Sequence, residues 1–173
     1  MAQIHKECTL HLVLRLRGGG SAPTPFNNLS EQQHVAYSNS GPDWRVAHPG
    51  LNLIGYCQNK ACDAYDRQVI IPKDYGAFNM SKECIMSVCP MCKQKARDIN
   101  NCGFDSSVFI FNGYTQESGE KKVSGKTQPN KFLTFTDAAD GSSIEQYNYL
   151  ELQVDPIDKY DIVLVTSMDQ YIG

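Results

Sequence analysis

The stretches that decide the fold of this chain are C-Q-N-K-A-C, residues 57–62, and C-P-M-C, residues 89–92. A close pair of cysteines presents two thiolates from one tight turn, and tetrahedral Zn²⁺ takes four such soft ligands. The interval between the two pairs leaves room for a hairpin. We therefore predict one structural Zn²⁺ held by Cys57, Cys62, Cys89 and Cys92.

Three of the seven cysteines lie outside the two pairs. Cys102 opens a C-G-F motif and is an alternative ligand in place of Cys62. Cys84 is better explained as a core residue, because cysteine is among the side chains most often buried. In a reducing compartment disulfides are rare, so two close pairs favour metal ligation over disulfide bonding or redox exchange.

The predicted metal site is structural rather than catalytic. A catalytic zinc keeps one position open for water, whereas four cysteinates close the coordination shell. All four histidines lie at or before residue 48. No later histidine can complete the eight-ligand set of a RING domain or act as the base for a cysteine nucleophile. We therefore predict that the protein is not an enzyme.

Apolar and β-branched residues around the cysteine pairs predict antiparallel strands. The predicted strands cover residues 65–72, 76–80, 108–114, 131–136 and 147–154. The turns E-S-G-E, residues 117–120, and A-D-G-S, residues 139–142, suit hairpins, and residues 116–130 predict a long exposed loop. The predicted fold is mainly β: a zinc ribbon over residues 50–113, elaborated by antiparallel hairpins, with a β extension of the same domain over residues 114–173.

Residues 21–49 predict a flexible linker, because prolines, glycines, serines and asparagines interrupt every periodicity. Trp44 is the only tryptophan of the chain. Large aromatic side chains contribute much of the buried area of a core, so we expect Trp44 to anchor the linker on the domain that follows.

The N-terminal segment carries a further motif. Lys6 to Gly19 read K-E-C-T-L-H-L-V-L-R-L-R-G-G, which resembles the C-terminal tail of ubiquitin, with Cys8 in place of a serine. Alternating leucines give this segment the pattern of a strand that buries one face. We expect residues 1–20 to be a ubiquitin-tail remnant without the rest of the ubiquitin fold.

The resemblance implies a linear ubiquitin fusion. Gly18 and Gly19 hold the places of the paired glycines of ubiquitin, Gly20 follows, and a deubiquitinase would cut after Gly19. The recognised residues would be Leu14, Arg15, Leu16 and Arg17. The motifs between Gly50 and about residue 113 also resemble a zinc-ribbon-like module that follows ubiquitin units in some protist and invertebrate proteins, which implies a small β domain without an established activity.

Charge distribution bears on the partners. The chain has 16 basic and 19 acidic residues, of which three basic and one acidic lie within residues 1–20. The remainder therefore holds 13 basic and 18 acidic residues, a net charge of −5. Nucleic acid is an unfavourable partner for such a chain, because phosphate binding depends on excess Lys and Arg. No apolar run approaches the roughly 20 residues of a membrane span, which favours a cytoplasmic or nuclear protein.

The sequence thus favours a non-enzymatic, zinc-binding interaction module derived from a ubiquitin fusion. Its partners would be proteins, including deubiquitinases or other ubiquitin-pathway proteins. One alternative is a ubiquitin-like modifier precursor processed after Gly19. A further alternative is a nucleic-acid-binding zinc ribbon.

Incubation with a deubiquitinase separates the first two hypotheses. Deubiquitinases also bind the folded body of ubiquitin, and residues 1–20 resemble only its tail. We therefore expect the intact mass of the protein to stay unchanged after incubation. Loss of the mass of residues 1–19 in mass spectrometry would contradict this expectation and support the modifier precursor. A linear diubiquitin substrate in the same tube is the control for protease activity.

Overall fold

The computed structural model describes residues 22–158 of the chain. The predicted ubiquitin-tail remnant, residues 1–20, lies outside the described residues together with its recognition residues 14–17 and processing residues 18–20, as do residues 159–173. The described part consists mostly of antiparallel β-strands, which confirms the predicted mainly β class.

Ten strands, one α-helix and one 3-10 turn make up residues 22–158. In chain order they are β1 (Thr24–Asn27), β2 (Gln32–Ala36), the 3-10 turn (Asp43–Arg45), β3 (Gly50–Cys57), β4 (Gln68–Asp74), β5 (Gly76–Asn79), α1 (Met80–Met86), β6 (Ala96–Asp105), β7 (Ser107–Thr115), β8 (Gly119–Lys126), β9 (Lys131–Phe135) and β10 (Ile144–Pro156). The strands predicted over residues 108–114, 131–136 and 147–154 are confirmed as β7, β9 and part of β10.

Alternation of buried and exposed side chains explains why these segments form strands. In β7, Phe109 and Phe111 are buried, whereas Asn112 and Tyr114 are exposed on the opposite face. The short helix α1 begins after Asn79, whose side-chain oxygen accepts a hydrogen bond from the backbone N–H of Lys82. That arrangement is a standard helix N-cap.

The strands form two antiparallel sheets of five strands each. In the first sheet, β10 pairs with β7, which pairs with β8, and the other edge of β10 pairs with β1 and β5 at separate positions. In the second sheet the order is β2, β9, β6, β3, β4. Ser106 alone separates β6 from β7 and has a φ of 50°, so the chain passes from the second sheet to the first in one residue.

The core lies between the two sheets and is rich in phenylalanine. Phe104 of the second sheet stacks on Phe109 of the first, with ring centroids 4.0 Å apart and planes within 5°. Phe111 and Phe135 meet Phe104 edge to face. Aromatic pairs in these geometries contribute beyond the area that they bury. The described part is therefore a β-sandwich closed by an aromatic cluster.

The predicted linker over residues 21–49 is wrong for its first half, which contains β1 and β2. Thr24 in β1 lies opposite Tyr147 of β10, and Gln32 in β2 lies opposite Phe135 of β9. Both strands are short, and their own residues do not predict strands. They form because their backbones pair with β10 and β9, which come from the far end of the chain. Trp44 is partly buried against the core, as expected.

Two further expectations are corrected in the C-terminal half. The long loop predicted over residues 116–130 contains β8, an edge strand whose alternate side chains face solvent. The turn at residues 117–120 does close the β7–β8 hairpin, with Gly119 at a φ of 74°. The turn at residues 139–142 is no hairpin, because it connects β9 of the second sheet to β10 of the first.

Phe104→Ala tests the aromatic cluster. Phe104 is fully buried, so its truncation leaves a cavity and should lower the free energy of unfolding by about 3–5 kcal/mol. Tyr114→Ala, on the exposed face of β7, should cost about 1 kcal/mol or less. Urea denaturation measures both, and equal losses would contradict the described packing.

Candidate metal centre

The first cysteine pair stands where β3 runs into its loop. Cys57 is the last residue of β3, and Cys62 lies in the connection to β4. Backbone hydrogen bonds fold this connection: Cys62 N–H donates to the Asn59 carbonyl over 3.0 Å, and Asp66 N–H donates to the Cys57 carbonyl over 2.8 Å. The loop therefore turns back on the end of β3 and brings both thiols to one side.

The second pair lies in a tight turn between α1 and β6. Cys89 N–H donates to the Gln94 carbonyl over 2.8 Å, and Lys93 N–H donates to the Cys89 carbonyl over 3.0 Å. Lys93 has a φ of 62°, the left-handed conformation that favours glycine. The turn from Cys89 to Gln94 thus has the hydrogen bonds of a compact knuckle, with a lysine at its left-handed position.

Strand register brings the two pairs together. β3 and β6 are antiparallel neighbours, and Cys57, at the end of β3, lies opposite Ala96, at the beginning of β6. The turn that carries the second pair immediately precedes Ala96. The Sγ atoms of Cys57, Cys62, Cys89 and Cys92 consequently all lie within 4.8 Å of one another. Cys57 and Cys89 are buried, while Cys62 and Cys92 are half-buried.

The sulfur geometry matches a metal site better than a disulfide. The Sγ atoms of Cys57 and Cys92 are 3.7 Å apart, whereas a disulfide bond is about 2.05 Å long. Four sulfurs at about 2.3 Å from a tetrahedral ion lie about 3.8 Å from one another. The arrangement is therefore compatible with one metal ion bound by four thiolates.

Backbone N–H groups point at the sulfurs, as second-shell partners of metal ligands commonly do. The N–H of Ala64 donates to Cys62 Sγ over 3.4 Å. Burial raises the pKa of Cys57 to about 12, against the opposing effect of the Asn59 N–H. Burial also acts to raise the pKa of Cys92, but the Gln94 N–H and the Asn59 side chain lower it to about 7. Burial thus disfavours the thiolate at both cysteines, whereas the N–H donors around Cys92 favour it.

Side-chain hydrogen bonds and ion pairs stabilise the two loops around the cysteine centre. The Gln58 side-chain amide donates to the Lys95 carbonyl over 2.9 Å, which ties the first loop to the second. Arg97 forms ion pairs with Asp66 and Asp98, and its guanidinium lies 5.0 Å from the ring centroid of Tyr56. These residues were not predicted, because their roles depend on the register of β3 and β6 rather than on a motif.

The remaining described cysteines lie apart from the cluster. Cys102 is fully buried in β6, opposite Leu53 of β3, and it is not a member of the four-cysteine group. The alternative in which Cys102 replaces Cys62 therefore does not match the structure. Cys84 lies on α1 and packs against the core, which agrees with its predicted role.

No protein-family model, curated protein or solved structure matches this chain. Within residues 22–158, no helix has both the length and the apolar character to cross a membrane.

Lys93→Gly tests the knuckle geometry. Glycine adopts a positive φ without the steric cost that other residues meet there, so this substitution should stabilise the protein by about 0.5–1 kcal/mol. Lys95→Gly, a matched exposed position without a positive φ, should destabilise it through added freedom in the unfolded chain. Thermal unfolding measures both variants, and a lower stability for Lys93→Gly would contradict the described turn.

Proposed function

We propose that the four cysteines bind one structural Zn²⁺ and that the protein is a non-enzymatic interaction module. The observation that carries the zinc assignment is the closed group of four sulfurs. Soft thiolate ligands in a tetrahedral group are typical of Zn²⁺ sites in proteins, whereas Mg²⁺ and Ca²⁺ take oxygen ligands. Once bound, the ion would supply the charge that keeps all four thiols deprotonated.

A closed thiolate shell supports a structural role over a catalytic one. Catalytic zinc needs an open coordination position for water or substrate. All four ligand positions would here be taken by cysteine, and the group contains no histidine or carboxylate. On this ground we propose that the protein has no enzymatic activity.

The surface beside the centre supports an interaction role. Ile85 and Met86, at the end of α1, are 61% and 62% exposed, and Met91, between the cysteines of the second pair, is 40% exposed. Clusters of exposed apolar side chains commonly mark protein-binding sites, and these three fall within seven residues of the chain at the second cysteine pair. Methionine also adapts readily to different partner surfaces. We call Ile85, Met86 and Met91 the apolar patch.

The metal would order this patch through the backbone. Ser87 N–H donates to the Glu83 carbonyl and ends α1, and the Ser87 carbonyl accepts from Ala96 N–H at the start of β6. The end of the helix is thus joined directly to the knuckle. Zinc binding at Cys89 would therefore fix the position of Ile85 and Met86 as well as the turn itself.

Descent from a ubiquitin fusion remains part of the proposal and rests on the sequence of Lys6 to Gly19 alone. The modifier-precursor alternative rests on the same segment. For the nucleic-acid alternative, the basic residues of β8 offer little support, because Lys121 is paired with Glu145. A cytoplasmic or nuclear location is proposed from the reduced state that a four-thiolate site requires.

Cys89→Ser tests the zinc assignment. We expect native mass spectrometry to find one zinc per wild-type chain and none in Cys89→Ser, with a large loss of thermal stability because metal binding and folding are coupled. Cys84→Ala removes a thiol outside the group and should keep its zinc. A folded, zinc-free Cys89→Ser protein with wild-type stability would contradict a structural site.

Introducing negative charge on the apolar patch tests the interaction role. We expect a partner retained by the wild-type protein in affinity purification to be lost from the double variant Ile85→Glu and Met86→Glu. Tyr149→Glu, an exposed position on the first sheet, is the matched control and should retain that partner. Equal retention by all three proteins would show that the patch is not the binding surface.

A further inference from the structure

A segment between β2 and β3 crosses the outer face of the second sheet. We call residues 37–47 the strap. β2 lies at one edge of this sheet, and β3 is the fourth of its five strands, so the strap must span the strands between them. Tyr37 donates its hydroxyl to Asp105 over 2.8 Å, and Arg45 donates to Gln68 over 2.6 Å. Both ends of the strap are therefore attached to the sheet.

The strap leaves a cavity of about 860 Å³ above the sheet. This volume lies within the range of small-molecule binding sites, roughly 300–1,000 Å³. The floor combines apolar side chains with two buried polar residues. The floor residues are Val35, Ile54, Ile70, Phe132, Asn101 and Thr134.

Planar polar groups surround the apolar floor. The carboxylate of Asp137 is held by two amides: one oxygen accepts from Asn27 over 2.6 Å and the other from Asn101 over 2.9 Å. Gln68 and Arg45 lie at the opposite margin of the cavity. Gln68 is on β4 and Asn101 is on β6, and these strands are two strand spacings, or about 10 Å, apart. The cavity therefore carries fixed hydrogen-bonding groups at two opposed margins.

The cavity is lined by one positively charged and one negatively charged side chain. Arg45 and Asp137 are its charged lining residues, and among residues 22–158 neither forms an ion pair. A phosphorylated or strongly anionic ligand would find only one cation. A purely apolar ligand would remove the charged groups of Arg45 and Asp137 from water without offering them a polar partner, which is unfavourable.

We propose that the strap cavity binds a neutral saccharide. A sugar ring presents apolar C–H groups on its faces and hydroxyl groups on its rim. The C–H faces fit the apolar floor around Phe132, and the hydroxyls can both donate to Asp137 and accept from Arg45. None of the lining residues belongs to the cysteine group or the apolar patch, so this site is independent of the interaction role proposed above.

Isothermal titration of the full chain with maltose, cellobiose and N-acetylglucosamine tests the proposal. The fluorescence of Trp44, the only tryptophan and a strap residue, gives a second readout. We expect at least one saccharide to bind saturably. Gln33, on β2, also lines the cavity. Gln33→Ala and Arg45→Ala should each weaken that binding about tenfold, the effect of one lost hydrogen bond. Both side chains are exposed, so these variants should fold.

Gln153→Ala, an exposed amide on the first sheet, is the matched control and should bind like the wild-type protein. Absence of saturable binding with all three saccharides would overturn the proposal. Binding that all variants retain equally would place the saccharide elsewhere and also overturn it. Titration with indole serves as the apolar probe: binding of indole but of no saccharide would show that the assigned ligand class is wrong.

Discussion

The pairing of β3 with β6 is the interaction on which the rest of this structure depends. Along this one ladder, Leu51 lies opposite Phe104, which places the central ring of the aromatic cluster. Ile54 lies opposite Asn101, and both line the strap cavity. At the far end of the ladder, Cys57 lies opposite Ala96, beside the turn of the second cysteine pair. A one-residue slip would send every side chain to the opposite face, so core and cavity depend on the same register over Leu51 to Ile54. The register shifts between Ile54 and Tyr56, and the metal centre follows that shift.

The cysteine centre closes the end of the sandwich at which this ladder stops. Ala64 and Cys89 anchor its two loops in the hydrophobic core, and backbone hydrogen bonds and the ion pairs of Arg97 hold the loops from outside. A bound metal ion would add to this by joining both loops at four points. In the proposed function the same ion positions the apolar patch, because α1 ends at the residue that leads into the knuckle.

The sequence predicted those parts whose signals are local. Apolar residues within 108–114 predicted β7, and the spacing of the cysteines predicted which four would meet. β1 and β2 escaped prediction because Thr24 and Gln32 find their partners in β10 and β9, and nothing in their own neighbourhood reports this. The passage from one sheet to the other at Ser106 was equally invisible, since hairpin and crossover turns use the same residue types. The strap cavity depends on topology alone and had no signal in the sequence.

X-ray absorption at the zinc edge on the purified full chain tests the closed four-cysteine centre most directly. Four cysteine ligands would give a first shell of four sulfur atoms at about 2.3 Å from the metal, with no nitrogen or oxygen ligand. A shell that contains nitrogen or oxygen would mean that one cysteine is not a ligand and that the site has an open or exchangeable position. That result would contradict the closed, structural centre on which the proposed function rests.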